Sequence, residues 1–249
     1  MLGRQSIFLA FSVMATSTSL LLFSRGQFII TALAAIFVYV RRRGFSRWFL
    51  IGLAAIGATV LWGFGILGDL RSHGASGESI ILNLGGASDH FLNSNIPGEL
   101  FWPYIYISSP LANLQLNVTG RVATDVPALY FALEFLPDFV SKRIVSEEAV
   151  SSISLILITP QLTVTTMYGL AFVLMGWLGM LLSFAYFIVI SLSCLTILKG
   201  SRYLISTSSI LSSLAFLGIF DNMYLFAGGI TQVLVALSLH LFERRARQI

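Results

Sequence analysis

Six stretches of this chain, residues 5–23, 27–40, 48–68, 167–198, 203–220 and 223–242, carry no Asp, Glu, Lys or Arg and are dominated by apolar side chains. Most approach or exceed the ~20 residues that cross about 30 Å of hydrocarbon. In lipid a spanning segment must satisfy its own backbone N–H and C=O groups, so such runs fold as helices. Composition agrees. Hydrophobic residues make up 56% of the chain and charged residues 10%, with a mean hydropathy of +0.86. A soluble domain carries about 25% charged residues. The expected fold is therefore an all-α polytopic membrane protein of about six transmembrane helices.

The charges that remain are sorted. Nine of the eleven carboxylates (Asp69, Glu78, Asp89, Glu99, Asp125, Glu134, Asp138, Glu147, Glu148) fall between residues 69 and 166, with only Arg71, Arg121, Lys142 and Arg143 to oppose them. Nine negative against four positive gives this segment a formal charge of minus five. Basic residues cluster instead at Arg4, at Arg41, Arg42, Arg43 and Arg47, at Lys199 and Arg202, and at Arg244, Arg245 and Arg247. Positive charge in short loops marks the cytoplasmic side. Both termini are thus expected in the cytoplasm and residues 69–166 outside, in the periplasm. This divides the chain into three helices over 1–68, an outer loop over 69–166, and three helices with a basic tail over 167–249. Arg4 and the first run also fit a signal peptide, but no small-x-small cleavage site follows, and the run is read as a span.

The run 167–198 is longer than one perpendicular crossing, so a tilt or a kink near Gly176 and Gly179 is expected. Those glycines, and Gly52 with Ala55, otherwise read as helix-packing residues. In the outer segment, 72–100 is irregular, with one short element at 79–84. Residues 101–119 are aromatic and end in helical spacing; Trp102, Tyr104 and Tyr106 suit a headgroup interface or the face of a sugar. Residues 121–146 form an amphipathic pattern with Asp125 as cap, Pro127 in the first turn and a break at Pro137. Ile153–Ile158 reads as a re-entrant or interfacial piece interrupted by Pro160.

Several motifs carry little weight. Gly74-Ala75-Ser76-Gly77 matches the G-x-S-G of intramembrane serine proteases, but Ser76 lies in a polar loop and His240 near the other end of the membrane. His73, Glu78, Asp89 and His90 lack metal-ligand spacing, so no metal is expected. Asn117-Val118-Thr119 is a glycosylation sequon only in a glycosylating pathway. One cysteine, Cys194, excludes an internal disulfide. No buried Asp, Glu or Lys is expected in the spans, which argues against proton-coupled transport. The basic residues form no patch for nucleic acid.

Arg25 is the exception to the charge rule. It stands alone at the outer end of a span in Ser24-Arg25-Gly26, where an ionisable residue is a functional candidate. Three patterns then resemble the bacterial O-antigen (oligosaccharide repeat-unit) polymerases and the related O-antigen ligases, which are membrane glycosyltransferases of the C type. The first is Thr18-Ser19-Leu20-Leu21-Leu22-Phe23-Ser24-Arg25-Gly26. The second is Gly65-Ile66-Leu67-Gly68-Asp69-Leu70-Arg71-Ser72 running into a large outer loop. The third is Tyr104-Ile105-Tyr106-Ile107-Ser108-Ser109-Pro110-Leu111-Ala112-Asn113 with Met167-Tyr168-Gly169, Gly176 and Gly179. Family members usually have more spans, so the chain resembles their C-terminal part. An arginine-to-glycine spacing found in some polymerase loops is met by neither Arg71 nor Arg121, because Leu82 and Ala132 stand at the spaced positions.

The resemblance implies a donor on undecaprenyl diphosphate, no metal and no cofactor, the bacterial inner membrane, and a chain-length regulator and a flippase as partners. Guanidinium groups at the membrane surface can bind a diphosphate leaving group bidentately, a role open to Arg25 and Arg71. Asp69, His73 or His90 could take the proton of the attacking sugar hydroxyl. Arg121, Tyr104, Tyr106 and His90 are candidates for binding substrate. The alternatives are an O-antigen ligase acting on lipid A core, and a non-catalytic export subunit or truncated fragment.

Overall fold

The computed structural model describes residues 25–72, 80–120 and 123–246. The first expected span (5–23), the G-x-S-G stretch with Ser76, and His73, Glu78 and Arg121 lie outside them. Among the described residues the chain is helical with no strand.

Helix α1 (Arg25–Arg43) ends at Gly44, whose φ of 73° only glycine adopts at no cost, and whose N–H bonds the Val40 carbonyl at 2.8 Å. Three residues later α2 (Arg47–Ser72) begins, its first turn capped by the Ser46 hydroxyl, which accepts from the Phe49 N–H at 3.1 Å. Tyr39 stacks on Phe49 at 4.5 Å across this turn. Short helices follow: α3 (Ile80–Leu84), α4 (Asp89–Leu92) and a 3-10 turn (Gly98–Leu100). Ser88 caps α4 by accepting from the Phe91 N–H.

Helix α5 (Phe101–Gly120) is the first departure from expectation, because the whole aromatic stretch is one helix. Pro103 sits in its first turn, where a missing N–H costs nothing, and Pro110 removes a single ladder bond from the interior. Beyond it come α6 (Pro127–Glu134), α7 (Asp138–Ile144) and α8 (Glu147–Ser151), which Ser146 caps. Pro127 opens α6 and Pro137 stands between α6 and α7, as the pattern predicts. Asp125 does not cap α6: Val126 holds that position without a side-chain bond, and Asp125 has a φ of 51°. The cause lies in α9. The Thr124 and Val126 N–H groups are committed to the Val173 and Leu174 carbonyls at 2.9 and 3.0 Å, which fixes the chain on either side of Asp125.

Residues 153–166, which include the piece read as re-entrant or interfacial, form neither helix nor strand and turn at 159–162 around Pro160. Then come α9 (Gly169–Ile197), α10 (Leu204–Leu217) and α11 (Ala227–Ala246). Helix α9 is broken at Gly176, where φ is 61° and ψ is −148°, a region open essentially to glycine alone. So Gly176 is a break and not a packing residue. The two halves fold back closely enough that a Cβ on Gly179 would strike the Ala171 carbonyl and lie 2.9 Å from the Met175 Cβ. Among the described residues only α9 is both long and apolar enough to cross a membrane on length and composition; Arg47–Gly63 and Leu204–Leu217 are shorter apolar helices.

Among the described residues the packing forms three clusters. Ile30 of α1 joins Cys194, Leu211, Leu214, Leu217, Tyr224 and Val233 of α9, α10 and α11 and their turn. Ile81 of α3 packs with Phe101 and Ile105 of α5 and with Leu162. Tyr130 of α6 packs with Ala171 and Leu174.

Candidate functional site

The chain order fixes which ends meet. Ile30, near the start of α1, packs beside Leu214 and Leu217, near the end of α10, so these helices are antiparallel. Arg202 before α10 and Tyr203 both donate to Glu243 near the end of α11, and the Arg202 guanidinium lies 5.0 Å from the Tyr203 ring centre. Hence Arg41, Arg42, Arg43, Lys199, Arg202, Arg244 and Arg245 collect at one end of the bundle. Arg47 joins them across the turn from α1. Arg25 heads α1 at the opposite end, and Asp69 and Arg71 close α2, which runs back from the basic end.

At that end the expected residues fall into two places. Helix α2 meets the 3-10 turn so closely at Gly65 that a Cβ there would collide with the Glu99 carbonyl carbon at 2.8 Å. Phe101 packs on Phe91 at 5.1 Å and on Tyr104 at 5.7 Å, and Trp102 lies 6.0 Å from Tyr106. The last turns of α2 (Asp69, Arg71), exposed His90 on α4, and exposed Tyr104 and Tyr106 on α5 therefore share one corner. Arg25 belongs to the other side, roughly 7.5 Å along α1 from Ile30 at the rise of an α-helix.

Two buried polar stitches were not foreseen. In the first, Asn113 and Asn117, one turn apart on α5 and fully buried, grip the extended segment. Asn113 Nδ2 donates to the Leu162 and Val164 carbonyls at 2.7 and 2.9 Å, and its Oδ1 accepts from the Ile158 N–H at 2.8 Å. Asn117 Nδ2 donates to the Asn113 and Ile156 carbonyls at 2.7 and 2.8 Å, and its Oδ1 accepts from the Ile156 N–H at 3.0 Å. Each amide thus does for an extended chain what a neighbouring strand would do. It also takes Asn117 out of use as a glycosylation acceptor in the folded chain.

The second stitch binds α6 into the bundle. The break at Gly176 frees the carbonyls of residues 173 and 174, and the 124–126 segment claims them, with the Thr124 hydroxyl adding a bond to Val173 at 3.0 Å. One turn further on, the Tyr130 hydroxyl donates to the Gly179 carbonyl at 2.8 Å and lies 3.0 Å from Ser183 Oγ. One turn beyond that is Glu134, 2% exposed. Its Oε2 accepts from Asn222 Nδ2 at 3.0 Å and from Ser183 Oγ at 3.5 Å. Phe135 then receives the Tyr186 hydroxyl at 2.8 Å, and the Asp138 N–H bonds the Leu225 carbonyl at 3.0 Å.

Burial pushes the Glu134 carboxyl up to about 8, and the nearby Asp221 carboxylate pushes the same way, while the bonds from Asn222 and Ser183 oppose them. Burial likewise raises the Tyr130 phenol. Glu134 lies in the 69–166 segment and not in one of the six apolar runs, so the reading that those runs carry no Asp, Glu or Lys stands beside a carboxyl buried from outside them. Its sequence signal was limited to one acid in the apolar run Tyr130-Phe131-Ala132-Leu133-Glu134-Phe135-Leu136. Among the described residues, no group of three or more His, Cys, Asp or Glu side chains is placed to hold a metal ion.

No protein-family model, curated protein or solved structure matches the chain.

Proposed function

We propose that this chain is a polytopic protein of the bacterial inner membrane that joins undecaprenyl-diphosphate-linked oligosaccharide repeat units. The observation that carries the reading is the segregation of charge along the helices. The basic clusters share one end, while Arg25, Asp69 and Arg71 stand at the other, where the positive-inside rule leaves arginine without a topological role. The uncovered apolar faces support the membrane part. Trp177, Leu181, Phe184, Val189 and Leu192 of α9, and Ile51, Ile56, Val60 and Trp62 of α2, are all exposed. Only 11% of the apolar window of α9 is buried, unlike the core helix of a soluble domain.

In the proposed reaction a sugar hydroxyl of one lipid-linked glycan attacks the anomeric carbon of another. A carbon–oxygen bond forms there as the bond to the diphosphate breaks. The hydroxyl proton passes to Asp69, His73 or His90, and undecaprenyl diphosphate leaves with increased negative charge. Arg25 and Arg71 are assigned to that charge, since fixed guanidinium donors in a water-poor site stabilise a developing oxyanion far more than water does. Tyr104, Tyr106 and Arg121 are assigned to the glycan. The corner that gathers α2, α4 and α5 supports a shared role for Asp69, Arg71, His90 and Tyr104.

The test is glycan chain length in a deletion strain complemented with wild type, Arg25→Ala or Arg71→Ala at matched membrane levels. The reading predicts single-repeat glycans in the deletion, ladders with wild type, and no ladders with either variant. A wild type that leaves chain length unchanged overturns it. Transfer of the glycan to lipid A core instead of to a second lipid-linked unit would make the protein a ligase.

A further inference from the structure

We infer that Glu134 is a proton-operated latch that holds α6 in its slot between α9 and the turn joining α10 to α11. The inference stands on the packing of these elements and is independent of the polymerase reading.

Helix α6 is held at both ends by backbone bonds that no change of pH near neutrality alters: Thr124 and Val126 to α9 on one side, Asp138 to Leu225 on the other. Between them, the side-chain links are those of Tyr130 and Glu134, with the Tyr186 hydroxyl of α9 donating to the Phe135 carbonyl. Two elements offer the Glu134 carboxyl neutral donors. Ser183 comes from α9 and Asn222 from the turn, while Tyr186 of α9 is spent on the Phe135 carbonyl. The titratable groups near it are Tyr130 on its own helix and Asp221 on the turn, and both disfavour a second negative charge. On α7, Asp138 and Lys142 lie 3.9 Å apart and answer each other. Among the described side chains no cation pairs with Glu134.

As the neutral acid, Glu134 keeps both acceptor bonds and buries no charge. As the anion, it leaves an uncompensated charge in a closed site, which is costly enough that the site must open or the group must stay protonated. Since burial places the carboxyl at about 8, the latch is closed below that value and opens above it. Opening would release the α6–α7 segment, whose outer side already carries exposed Phe131, Phe139, Lys142 and Arg143.

The experiment uses the full chain in lipid nanodiscs, with Cys194→Ser and spin labels on Phe139→Cys and Leu178→Cys, both exposed positions. Electron–electron distance measurements are taken at about pH 6 and about pH 9.5, on either side of the titration. The expected result is one narrow distance at the lower pH that broadens and lengthens at the higher, and a Glu134→Gln chain that stays narrow at both. Identical wild-type distributions at the two values, or a Glu134→Gln chain that broadens like wild type, overturn the latch. Infrared titration of the chain with native Glu134 needs no substitution at that site. A protonated-carboxyl band lost near pH 8 supports the latch. A carboxylate ionised throughout, as pairing with Arg25 at the same end of the bundle would make it, refutes the inference.

Discussion

The two buried stitches look alike in extent and differ in chemistry. Asn113 and Asn117 are neutral amides whose donors and acceptors are matched to peptide groups of residues 156–164. Glu134 is a carboxyl set among neutral donors and a second acid, with no cation among the described side chains. The first arrangement is complete in one protonation state and can only hold. The second is complete only when it carries a proton, so it can both hold and let go. A buried polar group with every bond matched reads as structure; one whose charge is left unanswered reads as a moving part.

That contrast can be broken most directly at Asn113. Replacing it with Leu strands the Leu162 and Val164 carbonyls and the Ile158 N–H, and each orphaned buried group costs about 1–3 kcal/mol. The expected outcome is near-complete loss of folded protein, read as thermal unfolding in detergent or as protease sensitivity of the 153–166 segment. Asn113→Asp should fall between when it is the neutral acid, which can accept from Ile158 and donate to one of the two carbonyls, leaving only the other unpaired. Near-wild-type stability in Asn113→Leu would remove the claim that this stitch is structural.

Gly176→Ala is expected to come next, at about 1–3 kcal/mol, because its φ and ψ are closed to a side chain. A smaller loss, of about 0.5–1.5 kcal/mol, is expected for Tyr130→Phe, which removes the hydroxyl's bonds to Gly179 and Ser183. Glu134→Gln should be the mildest in stability and the most telling in pH dependence. The folded carboxyl, raised from 4.5 to about 8, binds its proton more tightly than the unfolded chain does. Its contribution is therefore fully present below about 4.5, declines as pH rises toward 8, and is flat beyond. Wild type should lose melting temperature across that window, and Glu134→Gln should lose much less. Equal slopes in the two proteins would place the pH response elsewhere.

Much of the frame was legible because charge is scarce in this chain. The arginine clusters marked the helix ends, Pro127 and Pro137 bracketed α6, and the length of 167–198 called for a kink that the structure has at Gly176. What escaped was set by contacts between segments far apart in sequence. Asp125 has the right residue type for a cap, yet the demands of the freed α9 carbonyls on Thr124 and Val126 decide its conformation. Two asparagines one turn apart gave no hint of the segment they hold 39 to 51 residues later. Glu134 was one of nine carboxylates in an acidic segment, and nothing local shows that α6 enters the bundle. Of the expected catalytic residues, Arg25 falls at the start of α1 and Asp69 and Arg71 in the last turns of α2, whereas His73 falls outside the described residues, as does Arg121 among the expected substrate-binding ones.

The most direct measurement of the central claim is release of undecaprenyl diphosphate by the purified chain in nanodiscs supplied with lipid-linked single repeat units. Wild type is expected to release it in step with the appearance of two-repeat and longer glycans, and Arg25→Ala and Arg71→Ala, folded to the same melting temperature, to release none. Absence of release from wild type, or release undiminished in both arginine variants, would contradict the account.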